Sequence, residues 1–407
     1  MSLNLNKSFL YTCILLLISI VYSKFLLSVS IIIMLALAIL KSIRDKHSLG
    51  AYISNYKLSV LSLVFLIMLI SGINSENLSE WLHHLKMKLP YLVIPFSLWV
   101  FKDMVIKYYG LFFQLFIAVI FFSTFSVFYY ILSDYEAHLK ALGVGHSAET
   151  PVDHIKYSIF LAFSILASLI LITKEKVEMI PVPKWFYLIF SITGFVLLHL
   201  MAVRSGLALF YAVLIAVALI YIIRLKKYKW LIALLLFSIA SPIVMYKTIP
   251  SLEAKIGYMR YDINEYLKGG GSQYSDSERW VSIQTGLELF KENPVLGVGI
   301  GDLREICSKR MREVLNYYPD KYPHNQFIFF LSGIGIIGFI LFCIAFFTPW
   351  LQFKSGELLF IMMGILFLIS FLVENTLERS YSIAFFCFFY GSAIIKSSDI
   401  LTKKASS

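Results

Sequence analysis

A single histidine, His324, lies where a long hydrophilic segment meets the start of an apolar helix. The residues from 321 to 330 read Lys-Tyr-Pro-His-Asn-Gln-Phe-Ile-Phe-Phe. An imidazole takes up a proton near neutral pH, and it is the commonest general base in enzymes. A membrane–water boundary is also where a lipid-anchored substrate would present its polar head. The position therefore predicts either a catalytic base or an interfacial anchor.

Two arginines are further candidates for chemistry. Arg204 lies between two apolar runs that leave almost no loop to solvate it. An arginine at that depth is costly unless it is paired, so a functional role is expected, with a helix-end position as the alternative. Arg279 belongs to a helical pattern that opens with Ser-Glu-Arg-Trp at 277–280 and ends at Asn-Pro at 293–294. Taken alone, an arginine on such a helix is usually only solvated.

The composition places these residues in a membrane protein. Hydrophobic residues make up 59% of the 407 positions and charged residues only 15%, which is typical of a polytopic chain. Twelve apolar runs are long enough, or nearly so, to cross a bilayer: 8–23, 25–40, 58–73, 89–101, 108–132, 155–173, 185–203, 206–223, 230–246, 325–350, 357–373 and 381–395. We therefore predict an all-α polytopic membrane protein with about 12 transmembrane helices.

The distribution of lysine and arginine predicts the orientation. If the N-terminus is cytoplasmic, the cytoplasmic loops hold 18 of these residues and the short outer loops hold 7. This bias places both termini in the cytoplasm and one large loop outside. The predicted parts are spans 1–9 in 1–246, the outer loop with short helices in 247–323, spans 10–12 in 324–396, and a cytoplasmic tail in 397–407. The net charge of +11 then reflects the basic residues that orient the chain in the membrane. It predicts no nucleic-acid partner.

No metal or cofactor site is predicted. Three of the four cysteines lie in apolar runs, which argues against a disulfide framework or a cysteine metal site. The glycine-rich segment 296–302 lacks both the Lys-Ser/Thr pair of a phosphate-binding loop and a preceding strand. A plain turn is therefore favoured there.

In three places the sequence resembles the bacterial O-antigen ligases and the related O-antigen polymerases. The first is Arg-Ser-Gly at 204–206, directly after a span. The second is 277–299, which begins with Ser-Glu-Arg-Trp and closes with Asn-Pro-Val-Leu-Gly-Val-Gly. The third is His-Asn at 324–325, followed by glycines at 335 and 338. Their order and their placement on one predicted membrane face make the combination specific.

The resemblance implies a GT-C-like membrane fold and transfer of a polysaccharide from undecaprenyl pyrophosphate to a lipid A-core sugar hydroxyl. The reaction would take place on the periplasmic side of the bacterial inner membrane, without metal, nucleotide or other cofactor. Arg204 and Arg279 would bind the pyrophosphate, because a guanidinium binds phosphate oxygens in a bidentate fork. His324 would be the general base of a direct, inverting displacement. Three residues would line or support the acceptor site: Asn325, His154 and Trp280.

Two alternatives remain at this stage. An O-antigen polymerase would use the same donor with a second lipid-linked repeat as acceptor. A transporter or flippase is the alternative from another class. The absence of sequence repeats and the scarcity of charges in span centres weigh against it.

Three further groups of polar residues have no assigned partner in the sequence. Glu374, Glu378 and Arg379, in the last outer loop, could pair with one another or with the two arginines. His199 is expected to be a packed polar residue. A basic cluster could contact lipid phosphates but is more simply a solvated face: His83, His84, Lys86 and Lys88.

Overall fold

The computed structural model describes residues 4–173, 180–268, 275–315 and 317–406. Within these ranges all regular structure is helical, with nineteen α-helices and three 3₁₀ segments at Val60–Ser62, Ser71–Asn74 and Thr348–Ser355. The α-helices are α1 Leu5–Tyr22, α2 Lys24–Arg44, α3 Leu49–Ser54, α4 Tyr56–Ser59, α5 Leu63–Ile70, α6 Leu78–Met87, α7 Pro90–Val100, α8 Lys102–Ser133, α9 Tyr135–Gly143, α10 His154–Thr173, α11 Lys184–Leu200, α12 Arg204–Arg224, α13 Trp230–Thr248, α14 Pro250–Leu267, α15 Ser275–Glu292, α16 Ile300–Leu315, α17 Gln326–Phe347, α18 Leu358–Val373 and α19 Ser380–Ser406.

Nine helical segments of the described chain are long and apolar enough to cross a membrane. They are Leu5–Tyr22, Lys24–Arg44, Tyr56–Asn74, Lys102–Ser133, His154–Thr173, Arg204–Arg224, Trp230–Thr248, Gln326–Ser355 and Ser380–Ala405. Two shorter apolar helices are α11 and α18, and α7 is an 11-residue apolar helix with a proline inside it. The predicted all-helical, polytopic class is confirmed, and the number of twelve spans stays a prediction.

The first two apolar runs form two helices, as the separate runs 8–23 and 25–40 predicted. Ser23 has extended backbone angles, φ −156° and ψ 113°, which end α1. Its hydroxyl oxygen then accepts a hydrogen bond from the backbone N–H of Leu26 at 3.2 Å, which caps the start of α2. One polar residue with a capping side chain therefore separates two spans that composition alone would merge.

The described residues divide into two compact units. Unit 1 comprises those within 1–112, 278–363 and 371–407, and unit 2 those within 113–277 and 364–370. The predicted base His324 and the predicted cation Arg279 belong to unit 1. Arg204 and His154 belong to unit 2.

Helix α17 in unit 1 is broken at Gly335, which has φ 65° and ψ −168°. Backbone that leaves the helical ladder inside a span is tolerated only where protein supplies the missing hydrogen bonds. The segment 293–299 supplies them. The three bonds are Val298 N to Ser332 O at 2.9 Å, Gly299 N to Gly333 O at 3.0 Å, and Ile336 N to Pro294 O at 2.8 Å.

The segment 293–299 therefore packs its backbone against α17. It forms a turn, as favoured from the sequence. A β-carbon on Gly297 would lie 2.5 Å from the backbone of Gly333, so only glycine lets the two chains come this close. The other side of the segment is held by Asn74, whose Nδ2 donates to Gly297 O at 2.7 Å. Asp302 also fixes this side, because its carboxylate accepts hydrogen bonds from the backbone N–H groups of residues 76 and 77 at 2.7 and 2.8 Å.

We expect Gly335→Ala to destabilise the protein. The observed backbone angles fall in a region that is essentially restricted to glycine, which costs about 1–3 kcal/mol for another residue. The new methyl group would also meet Val295 O at 2.2 Å. Thermal unfolding of the detergent-solubilised protein should show a melting temperature several degrees lower. In Gly257→Ala the added carbon meets nothing within 4 Å, so the melting temperature should stay the same or rise. Equal melting temperatures for both variants would contradict this account of the break.

Candidate functional site

His324 is fixed by helix α15 and by the start of α17. Its backbone N–H donates to Ser282 Oγ of α15 at 3.1 Å. The next residue, Asn325, caps α17, because its Oδ1 accepts the amide hydrogens of Phe327 and Ile328, the second and third residues of the helix, at 2.9 and 3.1 Å. Its Nδ2 donates to Leu372 O at 2.9 Å. The predicted supporting residue Asn325 therefore orders the backbone that presents the histidine.

One carboxylate joins the predicted base to a predicted cation. Glu374 Oε1 lies 3.1 Å from His324 Nδ1, and Glu374 Oε2 lies 3.4 Å from Arg279 Nη2. The Glu374 side chain is 2% exposed, whereas His324 is 13% and Arg279 is 25% exposed. The carboxylate is thus buried beneath two groups that a ligand can reach. We call these three residues the His–Glu–Arg cluster.

His324 and Arg279 can each form further hydrogen bonds beyond their contacts with Glu374. An ionised carboxylate only accepts hydrogen bonds, so His324 Nδ1 carries the ring hydrogen and Nε2 is the acceptor. Among the described residues Nε2 has no hydrogen-bond partner, and the guanidinium of Arg279 bonds to Glu374 alone. A basic nitrogen and a fixed cation are therefore available to the same ligand.

Arg204 has a partner within unit 2. It is the first residue of α12, and its guanidinium forms an ion pair and hydrogen bond with Asp276. The buried carboxylate of Asp262 accepts a hydrogen bond from the Asp276 backbone N–H at 2.7 Å and another from the Ser277 hydroxyl. An arginine that the sequence placed at a poorly solvated turn is thus neutralised by an acidic partner.

The other predicted residues are distributed between the two units. Trp280 follows Arg279 in α15, and its indole is 55% exposed. The half-buried His154 is the first residue of α10 in unit 2. His199 is buried, with Nδ1 2.7 Å from Phe195 O and Nε2 2.9 Å from the Tyr211 hydroxyl, so it is a packed polar residue as predicted.

The basic cluster before α7 is divided between surface and interior, and the predicted solvated face is wrong for two of its members. His83 and Lys86 are exposed, but His84 and Lys88 are buried. These two side chains are buried because both contact the carboxylate of Glu378. Its Oε1 accepts a hydrogen bond from Lys88 Nζ at 2.7 Å, and its Oε2 lies 3.5 Å from His84 Nδ1. A buried carboxylate provides the counter-charge that lets basic side chains leave water.

Glu374 belongs to the candidate site, and sequence reasoning left it without an assigned partner. The sequence offered two possibilities for the acidic residues of the last outer loop, pairing among themselves or with the arginines. The structure pairs Glu374 with Arg279 and adds His324, which was not among those possibilities. The available signal was a carboxylate between two apolar segments, where an unpaired charge is costly.

The apolar helices define a multi-pass membrane protein, and the His–Glu–Arg cluster lies just before one of the helices that could cross the membrane. A family model described as O-antigen ligase matches residues 186–343. The match supports the resemblance predicted from the sequence, and this segment is similar to the O-antigen ligase family. The segment contains Arg204, Arg279 and His324, whereas Glu374 lies beyond it. No curated protein matches the chain.

We expect the buried Glu378 to make stability depend on pH in the acid range. Burial raises its pKa, but the charge of Lys88 and the contacts with His84 outweigh burial, so the pKa lies below the ordinary 4.5. A carboxylate with a lowered folded-state pKa contributes stability above its unfolded pKa and loses it as the pH falls through the folded value. The difference in melting temperature between wild type and Glu378→Gln should be constant from pH 7 to about pH 5 and shrink below about pH 4. A difference that shrinks between pH 7 and pH 5 would contradict the lowered pKa.

Proposed function

We propose that the protein is an O-antigen ligase-type glycosyltransferase. It moves a polysaccharide from undecaprenyl pyrophosphate to a sugar hydroxyl of lipid A-core. The observation that carries the proposal is the His–Glu–Arg cluster, which holds a general base and a phosphate-binding cation on one buried carboxylate. The family match supports the same class of reaction.

The acceptor is activated by His324 in the proposed reaction. Nε2 takes the proton of the acceptor hydroxyl as its oxygen attacks the anomeric carbon of the donor sugar. The bond from that carbon to the pyrophosphate oxygen breaks on the opposite face, so the configuration inverts. Glu374 keeps Nδ1–H oriented and stabilises the imidazolium that forms, the role that a buried carboxylate has beside many catalytic histidines.

The leaving pyrophosphate is bound by Arg279. Its guanidinium stays charged at all relevant pH values and forms two parallel hydrogen bonds to phosphate oxygens. Binding to the departing phosphate lowers the barrier because negative charge develops there in the transition state. The assignment of Arg204 to the same pyrophosphate stays a prediction.

The acceptor sugar is expected to contact Trp280, whose exposed indole offers a flat apolar surface beside Arg279 in the chain. Asn325 supports the site by fixing the start of α17. A role for His154 at the acceptor also stays a prediction. The proposed location is the bacterial inner membrane, with both termini in the cytoplasm and the site facing the periplasm.

The first test is transfer of a glycan from purified undecaprenyl pyrophosphate to lipid A-core in liposomes that contain EDTA. Removal of a general base typically costs roughly 10²–10⁴-fold in rate, and we expect a fall of that size for His324→Ala. The matched control is His83→Ala, an exposed histidine, which should keep wild-type activity.

The products separate the alternatives. Capped lipid A-core in EDTA supports the proposed ligase. Lengthened lipid-linked chains without capping would identify a polymerase. Translocated but uncoupled glycan lipid, with no glycosidic product, would favour a flippase and overturn the proposal. Activity abolished by EDTA and restored by a divalent cation would contradict the metal-independent mechanism.

A second test concerns Arg204 and its partner. If Arg204 binds the donor pyrophosphate, Arg204→Ala should lower kcat by about 10²-fold, the typical loss for one stabilising donor. Asp276→Asn leaves the guanidinium in place and should keep most of the activity. If the ion pair only supports the fold, both variants will instead lose activity and thermal stability together.

A further inference from the structure

Lys88, between α6 and α7, is a fully buried lysine. Its side chain is 0% exposed, and its Nζ donates to Leu377 O at 2.5 Å and to Glu378 Oε1 at 2.7 Å. Lysine is almost never fully buried unless it is paired. Both hydrogen-bond acceptors lie in the short segment 374–379 between α18 and α19. The ammonium group therefore binds that loop at two points.

The same loop is held from a second direction by Gln326, the first residue of α17. The backbone N–H of Leu377 donates to Gln326 Oε1 at 2.8 Å, and Gln326 Nε2 donates to Glu378 Oε1 at 3.0 Å. Leu377 therefore has both of its backbone polar groups fixed by side chains, its N–H by Gln326 and its C=O by Lys88.

Glu374 is three residues away along a tightly folded backbone. The N–H of Asn375 donates to Glu374 Oε1 at 3.1 Å, and the N–H of Thr376 donates to Glu374 O at 3.0 Å. These local bonds hold Glu374 to Asn375 and Thr376, the two residues between it and the anchored Leu377. A shift of Leu377 would thus be passed on to the carboxylate of Glu374.

The segment that carries His324 is tied to the same anchor. Tyr322 lies two residues before His324, and its hydroxyl is 2.7 Å from His84 Nε2. The other ring nitrogen of His84 lies 3.5 Å from Glu378 Oε2. Through His84, the segment that carries His324 therefore reaches the same Glu378 carboxylate that pairs with Lys88.

We infer that Lys88 is a positioning residue for glycosyl transfer, and that it acts by holding the 374–379 loop so that Glu374 reaches His324 Nδ1. The inference rests on the proposed function, since it assigns Lys88 to the reaction of the His–Glu–Arg cluster. A displacement of about 1 Å at reacting groups can cost 10²-fold in rate, so a loop anchor can control turnover without touching substrate.

The test compares Lys88→Met with Lys86→Met, the same substitution at an exposed lysine two residues earlier. Because Lys88→Met removes the ammonium counter-charge of the buried Glu378, the double variant Lys88→Met/Glu378→Gln is made as well. Folding is checked by size-exclusion chromatography and thermal unfolding. For whichever Lys88 variants fold, we expect kcat to fall about 10²-fold with KM for the lipid-linked donor unchanged. Lys86→Met should match wild type.

A double-mutant cycle separates positioning from general loss of structure. If Lys88 acts through Glu374, adding the Lys88→Met/Glu378→Gln changes to Glu374→Gln should cost little beyond the Glu374→Gln loss. An equal fold-loss in both backgrounds would overturn the inference. A folded Lys88 variant with wild-type kcat would overturn it as well.

Hydrogen exchange provides a readout that does not depend on the transfer assay. Backbone amides at 375–377 should exchange faster in the Lys88→Met/Glu378→Gln variant than in wild type and Lys86→Met. Unchanged exchange there would overturn the loop anchor. If wild type transfers glycan to no acceptor while exchange responds as expected, the proposed function has failed and the anchoring of the loop stands.

Discussion

The buried carboxylate of Glu374 is the interaction on which the candidate site depends. It accepts from a histidine that lies two residues before α17 and from an arginine in a helix of the predicted outer segment. A carboxylate removed from water is stable only with such partners, so the charge that orients the histidine also holds the arginine in place. Loss of Glu374 would remove the carboxylate that both His324 and Arg279 contact.

Buried backbone groups also need hydrogen-bond partners, and this need explains how the segment 293–299 packs against α17. The break at Gly335 releases backbone groups of α17, and the glycine-rich turn satisfies them with its own N–H and C=O groups. Helix α15 ends immediately before this turn, so the turn also fixes the helix that carries Arg279. Main-chain hydrogen bonds at the break and the side-chain contacts of Glu374 thus join α17 and the residues just before it to α15 and the turn that follows it.

The sequence predicted the helical, polytopic class and named His324 and Arg279, because their signals are local. The hydropathy of a run and the caps of its ends are properties of neighbouring residues, and the separation of α1 from α2 at Ser23 shows how short such a signal can be. The basic cluster before α7 was misjudged for the opposite reason. Whether Lys88 faces water depends on a carboxylate 290 positions later in the chain.

The chain by itself therefore determined the helical, polytopic class, and it offered candidates for the base and the cation. The tertiary structure determined which carboxylate contacts His324 and Arg279. Glu374 is 50 positions from His324 and 95 from Arg279. No local pattern relates residues at such separations, since their contact follows from the packing of α15, α17 and the loop before α19. Burial then turns that contact into a strong interaction, because the effective dielectric falls only once the groups are enclosed.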